Sequence, residues 1–140
     1  MQDLRQRILG AAPKVTNVAV PEWGDDVELG VRSLSLVERL AFETENGSLE
    51  DIDRKKDPAR YNFWLVRYVI ATACDAQGRR LFHPEDEPQL AQQAATAIER
   101  LCLAAMRVNV MTASEVARVG EASGKAPNGA SPSGSPVTSG

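Results

Sequence analysis

A long, almost uninterrupted apolar stretch after Asp57-Pro58 most constrains how this chain can fold. Asp57-Pro58 is a strong helix start, because Asp caps free amide groups and Pro tolerates the first helical position. The following residues are apolar almost all round, apart from a stripe that contains Arg60 and Arg67. A helix with so little polar surface must be surrounded by other elements. We therefore predict a central helix over about residues 58–75.

Before this helix, the pattern indicates a β-hairpin over about residues 15–32. Apolar residues precede a turn at Gly24, and after it they alternate strictly with polar residues or glycine. Alternation around such a turn predicts two antiparallel strands with one buried face. Ser35 and Glu38 then match a capping box, which predicts a short helix over about residues 36–44.

After the central helix, the clearest helical periodicity in the chain extends over about residues 86–109. Apolar residues recur there at steps of four and three: Leu90, Ala94, Ala97, Leu101, Ala104 and Val108. This spacing places them on one face of a helix. Thr112 and Glu115 form a second capping box, which predicts a short last helix over about residues 113–119.

These elements predict a single small α+β domain over residues 1–119. Its N-terminal β-hairpin packs with a mainly helical C-terminal part of three to four helices. The composition changes near Gly120, and the last 20 residues contain four Gly, three Pro and five Ser. Such a segment cannot bury enough apolar surface to offset its conformational entropy, so residues 120–140 are predicted to be a disordered tail.

Charge and hydropathy argue against two classes of function. Lys and Arg number 16 against 19 Asp and Glu, a net charge of −3. Proteins that bind nucleic acid usually carry a basic excess, so no nucleic-acid partner is expected. The longest apolar run, Phe63 to Cys74, is too short and too charged to span a membrane, so no membrane partner is expected either.

The residues that carry enzymatic chemistry are few and scattered. His83 is the only histidine, and a single His without a Cys pair cannot found a metal site. Cys74 and Cys102 are expected as buried thiols of low reactivity. No Gly-rich phosphate loop begins a predicted helix. We therefore expect no catalytic residue, no cofactor and no metal, and an interaction module rather than an enzyme.

The aromatic residues are the candidate partner-binding residues. Tyr61, Trp64 and Tyr68 recur at steps of three and four and share one side of the central helix, whereas Phe63 points elsewhere. They either pack in the core or form an exposed patch that takes a partner's helix. Trp23, at the hairpin turn, either folds back on the helices or contacts another protein.

Three stretches of the chain, taken in order, resemble the motifs of a known family. VAVPEWGDDVELGVRSLSLVERLAFE resembles its opening, V-P-E-W-G … V-R-x-L-(S/T)-x-x-E-R-x-x-F-E. VRYVIATACDAQGRRLFHPED resembles its middle, a helix followed by C-D-x-x-G-x-x-L-F-x-x-E-D. AATAIERLCLAAMRVNVMTASEV resembles its closing helix. The family that these motifs resemble is the tail assembly chaperones of long-tailed bacteriophages and prophages. The resemblance covers about residues 15–119, and the polar insert from Glu45 to Lys56 and the long Gly/Pro/Ser tail depart from the pattern.

The resemblance implies a protein that is not an enzyme. It implies that the chain binds the very long helical tape measure protein, keeps it soluble, and helps subunits of the major tail tube protein polymerise around it. The chain would then act in the host bacterial cytoplasm during virion assembly and be absent from the mature particle. Self-association of the chain stays open.

Many genes of this family make a second, longer product by a −1 ribosomal frameshift. Gly124 and Lys125 are the candidate site here, because the codons TCG-GGA-AAA for residues 123–125 would contain a slippery G-GGA-AAA heptamer. Two other functions remain open from the sequence. One is a structural head–tail or tail adaptor that is retained in the virion, and the more distant one is a small regulator that binds nucleic acid.

Overall fold

The computed structural model describes residues 3–109 of the chain. These residues form a three-stranded antiparallel sheet together with five α-helices, which is the α+β class expected from the sequence. The strands are β1 (Val15–Ala19), β2 (Glu28–Arg32) and β3 (Ala73–Cys74). The helices are α1 (Leu4–Leu9), α2 (Leu36–Asn46), α3 (Pro58–Thr72), α4 (Glu87–Leu90) and α5 (Ala95–Val108). Short 3₁₀ turns occupy Pro21–Trp23, Leu49–Asp51 and Pro84–Asp86.

β2 is the middle strand, with β1 and β3 antiparallel on either side. β1 and β2 form the hairpin of the N-terminal part, and Val18 lies opposite Leu29. Gly30 of β2 is in close contact with both neighbouring strands, β1 and β3. A Cβ atom there would stand 2.8 Å from Val15 Cγ1 and 2.9 Å from Cys74 Sγ. A side chain at this position would therefore force Val15 or Cys74 to shift.

The third strand is a difference from the helix predicted over residues 58–75. Helix α3 ends at Thr72, and Ala73 adopts an extended conformation with φ −67° and ψ 135°. Ala73 and Cys74 then pair with Val31 and Gly30 of β2. This pairing gives hydrogen-bond partners to the second edge of β2, which favours a strand over another helical turn. Hydropathy did not reveal the change because both segments are buried.

α3 lies at the centre of the domain, as its apolar sequence requires. The Asp57 carboxylate accepts a hydrogen bond from the Arg60 amide at 3.2 Å, and Pro58 occupies the first turn. Nine of its side chains are buried: Tyr61, Trp64, Leu65, Val66, Tyr68, Val69, Ile70, Ala71 and Thr72. α5 packs along α3 and contributes fully buried Leu101 to the same core.

α2 begins at the predicted capping box. The Ser35 hydroxyl accepts a hydrogen bond from the Glu38 amide at 3.1 Å, and the Glu38 carboxylate accepts one from the Ser35 amide at 2.9 Å. The helix extends to Asn46, two residues beyond the predicted end. In the polar insert that follows, Leu49 and Ile52 are fully buried, and they anchor this segment to the core.

The single helix predicted over residues 86–109 is divided into α4 and α5. The chain leaves helical geometry after Leu90, and Ala94 is extended with φ −55° and ψ 128°. The residues between them contain neither Gly nor Pro, so local preference does not explain the break. Glu22 and Trp23, which we call the hairpin tip, dock at this junction. Trp23 contacts Gln93 and Glu22 contacts Thr96, and these contacts offset the lost helical hydrogen bonds.

Several predictions fall outside the described residues. These are the helix over 113–119, the tail over 120–140, and the candidate frameshift residues Gly124 and Lys125. Within residues 3–109, no helix is long and apolar enough to cross a membrane.

Candidate functional site

The aromatic stripe of α3 lies in the core. Tyr61, Trp64 and Tyr68 are only 1%, 3% and 3% exposed. Trp64 stacks on Tyr68 with ring centroids 4.9 Å apart, and Phe42 of α2 meets both rings edge-on at 5.3 Å. The Trp64 indole donates a hydrogen bond to the Gly47 carbonyl at 3.0 Å. Of the two interpretations of this stripe, core packing describes the observed positions, and its contact with a partner stays a prediction.

Trp23 is folded back onto the helices with part of its ring exposed. Its indole Nε1 donates a hydrogen bond to Gln93 Oε1 at 3.0 Å, and the ring packs against the core. The same ring lines a surface cavity of about 380 Å³ together with Phe82 and Leu90. Trp23 therefore holds the hairpin tip and also presents apolar surface beside α4.

Glu22 anchors the same hairpin tip to the first turns of α5. Its carboxylate accepts hydrogen bonds from Arg100 Nη1 and from Thr96 Oγ1, the latter at 2.6 Å. The hydrogen bond from Arg100, reinforced by that from Thr96, lowers the pKa of Glu22 to about 2. The carboxylate also lies near the N-terminal end of α5, where the helix macrodipole favours negative charge.

An apolar groove runs beside α4 between α3 and α5. Its volume is about 410 Å³, and it adjoins the Trp23 cavity at Leu90 and Gln93. Its walls carry the following side chains: Ala59, Asn62, Phe63, Leu65, Val66, Leu90, Ala91, Gln93, Ala95, Ile98 and Glu99. We call the groove and the adjoining Trp23 cavity together the α4 groove. A cleft of this size and polarity suits one face of an amphipathic helix.

Phe63, whose position in the sequence lies off the aromatic stripe of α3, lines the part of the groove between α3 and α5. It is 40% exposed, although its neighbour Trp64 is buried. The Arg67 guanidinium lies 5.8 Å from the centre of its ring, and Arg67 is held by Glu87 at 3.0 Å. Because successive residues of a helix are rotated by about 100°, Phe63 faces away from the stripe of Tyr61 and Trp64. That offset was the available signal that Phe63 lies on a second face of α3.

Glu99 is the ionisable residue that lines the α3–α5 part of the groove. Its side chain is half-buried, and burial raises the pKa of its carboxyl while the charge of Arg54 opposes that shift. Among the described residues, no hydrogen bond or ion pair holds this carboxylate. The groove therefore combines an apolar lining with one acidic group that is available to a ligand.

Other reactive groups lie away from this groove. Cys74 and Cys102 are both buried and unpaired with each other, and burial raises the pKa of both thiols, which keeps them protonated and poorly nucleophilic. The backbone amide of His83 donates a hydrogen bond to Asp86 Oδ2 at 2.8 Å at the start of a turn. Within residues 3–109, no three His, Cys, Asp or Glu side chains are grouped so as to hold a metal ion.

The chain matches a family model described as "Phage tail assembly chaperone" over residues 4–122. Among solved structures, it is similar to that of the bacteriophage HK97 tail assembly chaperone, with 20% sequence identity and a TM-score of 0.56. This similarity covers 76% of this chain and 98% of the HK97 chain, and at that identity it shows a shared fold. No curated protein matches the chain.

Proposed function

The chain belongs to the phage tail assembly chaperone family, and we propose that it binds the tape measure protein of its phage. In this proposal it keeps that long helical protein soluble and promotes polymerisation of tail tube subunits around it. The activity is non-enzymatic and takes place in the host bacterial cytoplasm. The observation that supports it best is the open apolar α4 groove, with Phe63 on one wall and Trp23 at the adjoining end.

The chemistry of the groove suits such a partner. A long helical protein that is not yet enclosed by a tube exposes apolar stripes, and exposed apolar surface promotes aggregation. The floor of the α4 groove is formed by buried Leu65, Val66, Leu90 and Ile98, so it offers a fixed apolar surface. Ala59 and Ala95 line the groove with small side chains, which leave room for the side chains of an incoming helix.

Co-expression with the tape measure protein of the same phage tests this proposal. The wild-type chain should increase the soluble fraction of that protein, and Phe63→Ala should lose most of the increase. Val37→Ala is the matched control, because Val37 is an exposed apolar residue of α2 that does not line the groove. Failure of the wild-type chain to solubilise the partner would contradict the proposal. Equal solubility with Phe63→Ala and wild type would contradict the assignment to the groove.

The departure of the chain before the virion is complete is also part of the proposal. Mass spectrometry of purified particles should detect the tube and tape measure proteins but not this chain. Its stoichiometric presence in particles would favour the structural head–tail or tail adaptor. Salt-dependent binding to DNA would instead point to a regulator.

A frameshifted longer product is the last part of the proposal. The native gene, with its downstream DNA and an N-terminal tag, should give a main band near 15 kDa and a minor longer band. Silent changes in the codons of Gly124 and Lys125 should abolish the longer band. If the longer band persists unchanged, the shift does not occur at these codons, and a single band throughout would contradict the frameshift.

A further inference from the structure

Glu99 is an unusual residue for an apolar groove. It lies on the α5 wall, one residue after buried Ile98 and one turn after Ala95. Among the described lining residues of the α3–α5 part, the other side chains are apolar or neutral. Arg54 influences Glu99 through its charge, but its guanidinium lies 5.7 Å from the centre of the Tyr61 ring and makes no described hydrogen bond to Glu99.

This arrangement has a consequence for any helix that covers the groove. An incoming apolar face would remove water from the Glu99 carboxylate, and a buried charge without a partner is costly. A basic side chain at the corresponding position would replace the lost water with an ion pair and hydrogen bonds. The groove is therefore complementary to an apolar stripe that is interrupted by one positive charge.

We propose that Glu99 selects the segment of the partner that binds, by pairing with a lysine or arginine within the apolar face of a partner helix. This inference rests on the proposed function, because it takes the α4 groove as the site where the tape measure protein docks. Glu99 then acts as a specificity residue, and the apolar floor supplies the less selective part of the affinity.

Peptide binding tests the inference. Overlapping peptides of about 25 residues spanning the tape measure protein would be titrated against the full chain by fluorescence anisotropy. The tightest peptide should contain a Lys or Arg within its apolar stripe. Glu99→Gln should weaken its binding by about tenfold, and Glu99→Lys should weaken it further. Glu28→Gln, which removes an exposed carboxylate of β2 outside the groove, should leave binding unchanged.

A charge exchange makes the test specific to one pair. A peptide in which the basic residue is replaced by Glu should bind the wild-type chain poorly. On the Glu99→Lys variant, this peptide should bind at least tenfold more tightly than the parent peptide. Thermal unfolding of both Glu99 variants serves as the control for folding. If Glu99→Gln binds as wild type does, Glu99 is not a specificity residue, although the groove still binds. If no peptide binds the wild-type chain, docking of a tape measure helix and its selection by Glu99 are both wrong.

Discussion

Helix α3 has two faces that use apolar side chains in opposite ways. On one face, Trp64 and Tyr68 stack and are closed off by Phe42 of α2. On the other face, Phe63 stands 40% exposed beside the α4 groove. Both faces are apolar in sequence, but α2 covers the first, whereas α4 and α5 leave Phe63 partly exposed beside the groove on the second. The difference shows that the exposed apolar surface of this helix is defined by what the rest of the fold leaves uncovered.

The break between α4 and α5 bears on this uncovered face. Because the predicted helix is divided, α4 lies beside α3 as a short separate element, and α5 begins anew at Ala95. Leu90 and Ile98 contribute to the groove floor from either side of the break. The face of α3 that carries Trp64 and Tyr68, the closed face, thus depends on contacts with α2. The face that carries Phe63, the open face, depends on where the hairpin tip fixes the α4–α5 junction.

The largest expected effect comes from removing an aromatic ring from the closed face. Trp64→Ala should lower the free energy of unfolding by about 3–5 kcal/mol, because it leaves a cavity and removes the hydrogen bond to the Gly47 carbonyl. Urea unfolding followed by circular dichroism measures this loss. Trp64→Phe, which retains a ring but not the hydrogen bond, should lose clearly less. A loss below about 1 kcal/mol for Trp64→Ala would remove the distinction between the two faces.

Removing the neighbouring ring should affect binding rather than folding. Phe63→Ala should change the free energy of unfolding by less than about 1 kcal/mol, because the ring is substantially exposed. Its affinity for a tape measure peptide should fall by about 2 kcal/mol, roughly thirtyfold, if the ring is an anchor of the groove. Calorimetry on the same protein preparations would compare both quantities. An affinity equal to that of wild type would show that the open face is not where the partner docks.

Trp23 should give an intermediate result because it both packs against the core and lines the α4 groove. Trp23→Ala should lower the free energy of unfolding by about 1–2 kcal/mol through loss of packing and of the bond to Gln93. It should also weaken partner binding, with helical circular dichroism retained at 25 °C. In the unfolding measurement, Gln93→Ala removes the hydrogen-bond acceptor and leaves the ring, so it separates the loss of the bond from the loss of packing. Complete loss of helical signal in Trp23→Ala would identify Trp23 as an indispensable core residue.

The smallest effect should come from the ion pair at the hairpin tip, and it should depend on pH. The pKa of Glu22 is about 2 in the folded chain against an ordinary value of 4.5, so the unfolded chain binds this proton more tightly. The ionised carboxylate therefore stabilises the fold fully above about pH 4.5, and this contribution is lost as pH falls towards 2. Glu22→Gln should unfold at a lower temperature than wild type at pH 7, with a difference that shrinks in acid. A difference for Glu22→Gln that is independent of pH would contradict the assignment.

Local signals in the sequence predicted the framework well. The Ser35–Glu38 box and Asp57-Pro58 mark helix starts through contacts within four residues, so they are visible without tertiary information. The alternating residues of β2 likewise mark a strand with one buried face. Together with the all-round apolar α3, these features were sufficient for the α+β class.

The structural features that could not be predicted from the sequence depend on contacts between distant residues. β3 exists because β2 has a second edge to pair, and no local preference separates Ala73 from the helix before it. The break after Leu90 depends on a hairpin tip far away in the sequence. Helical spacing alone places Phe63 on a different face of α3 from Tyr61 and Trp64. Which of these faces α2 covers depends on distant contacts, so it could not be predicted.

The docked hairpin tip also has a consequence for how the chain reaches its folded state. Its hydrogen bonds join residues separated by 70 to 78 positions, from Trp23 to Gln93 and from Glu22 to Arg100. Closing so long a loop costs more entropy than forming the hairpin or a helix cap, so these bonds should form after the rate-limiting step of folding. Losing them should therefore speed unfolding while leaving the folding rate nearly unchanged, which makes the tip a determinant of how long the folded chain persists.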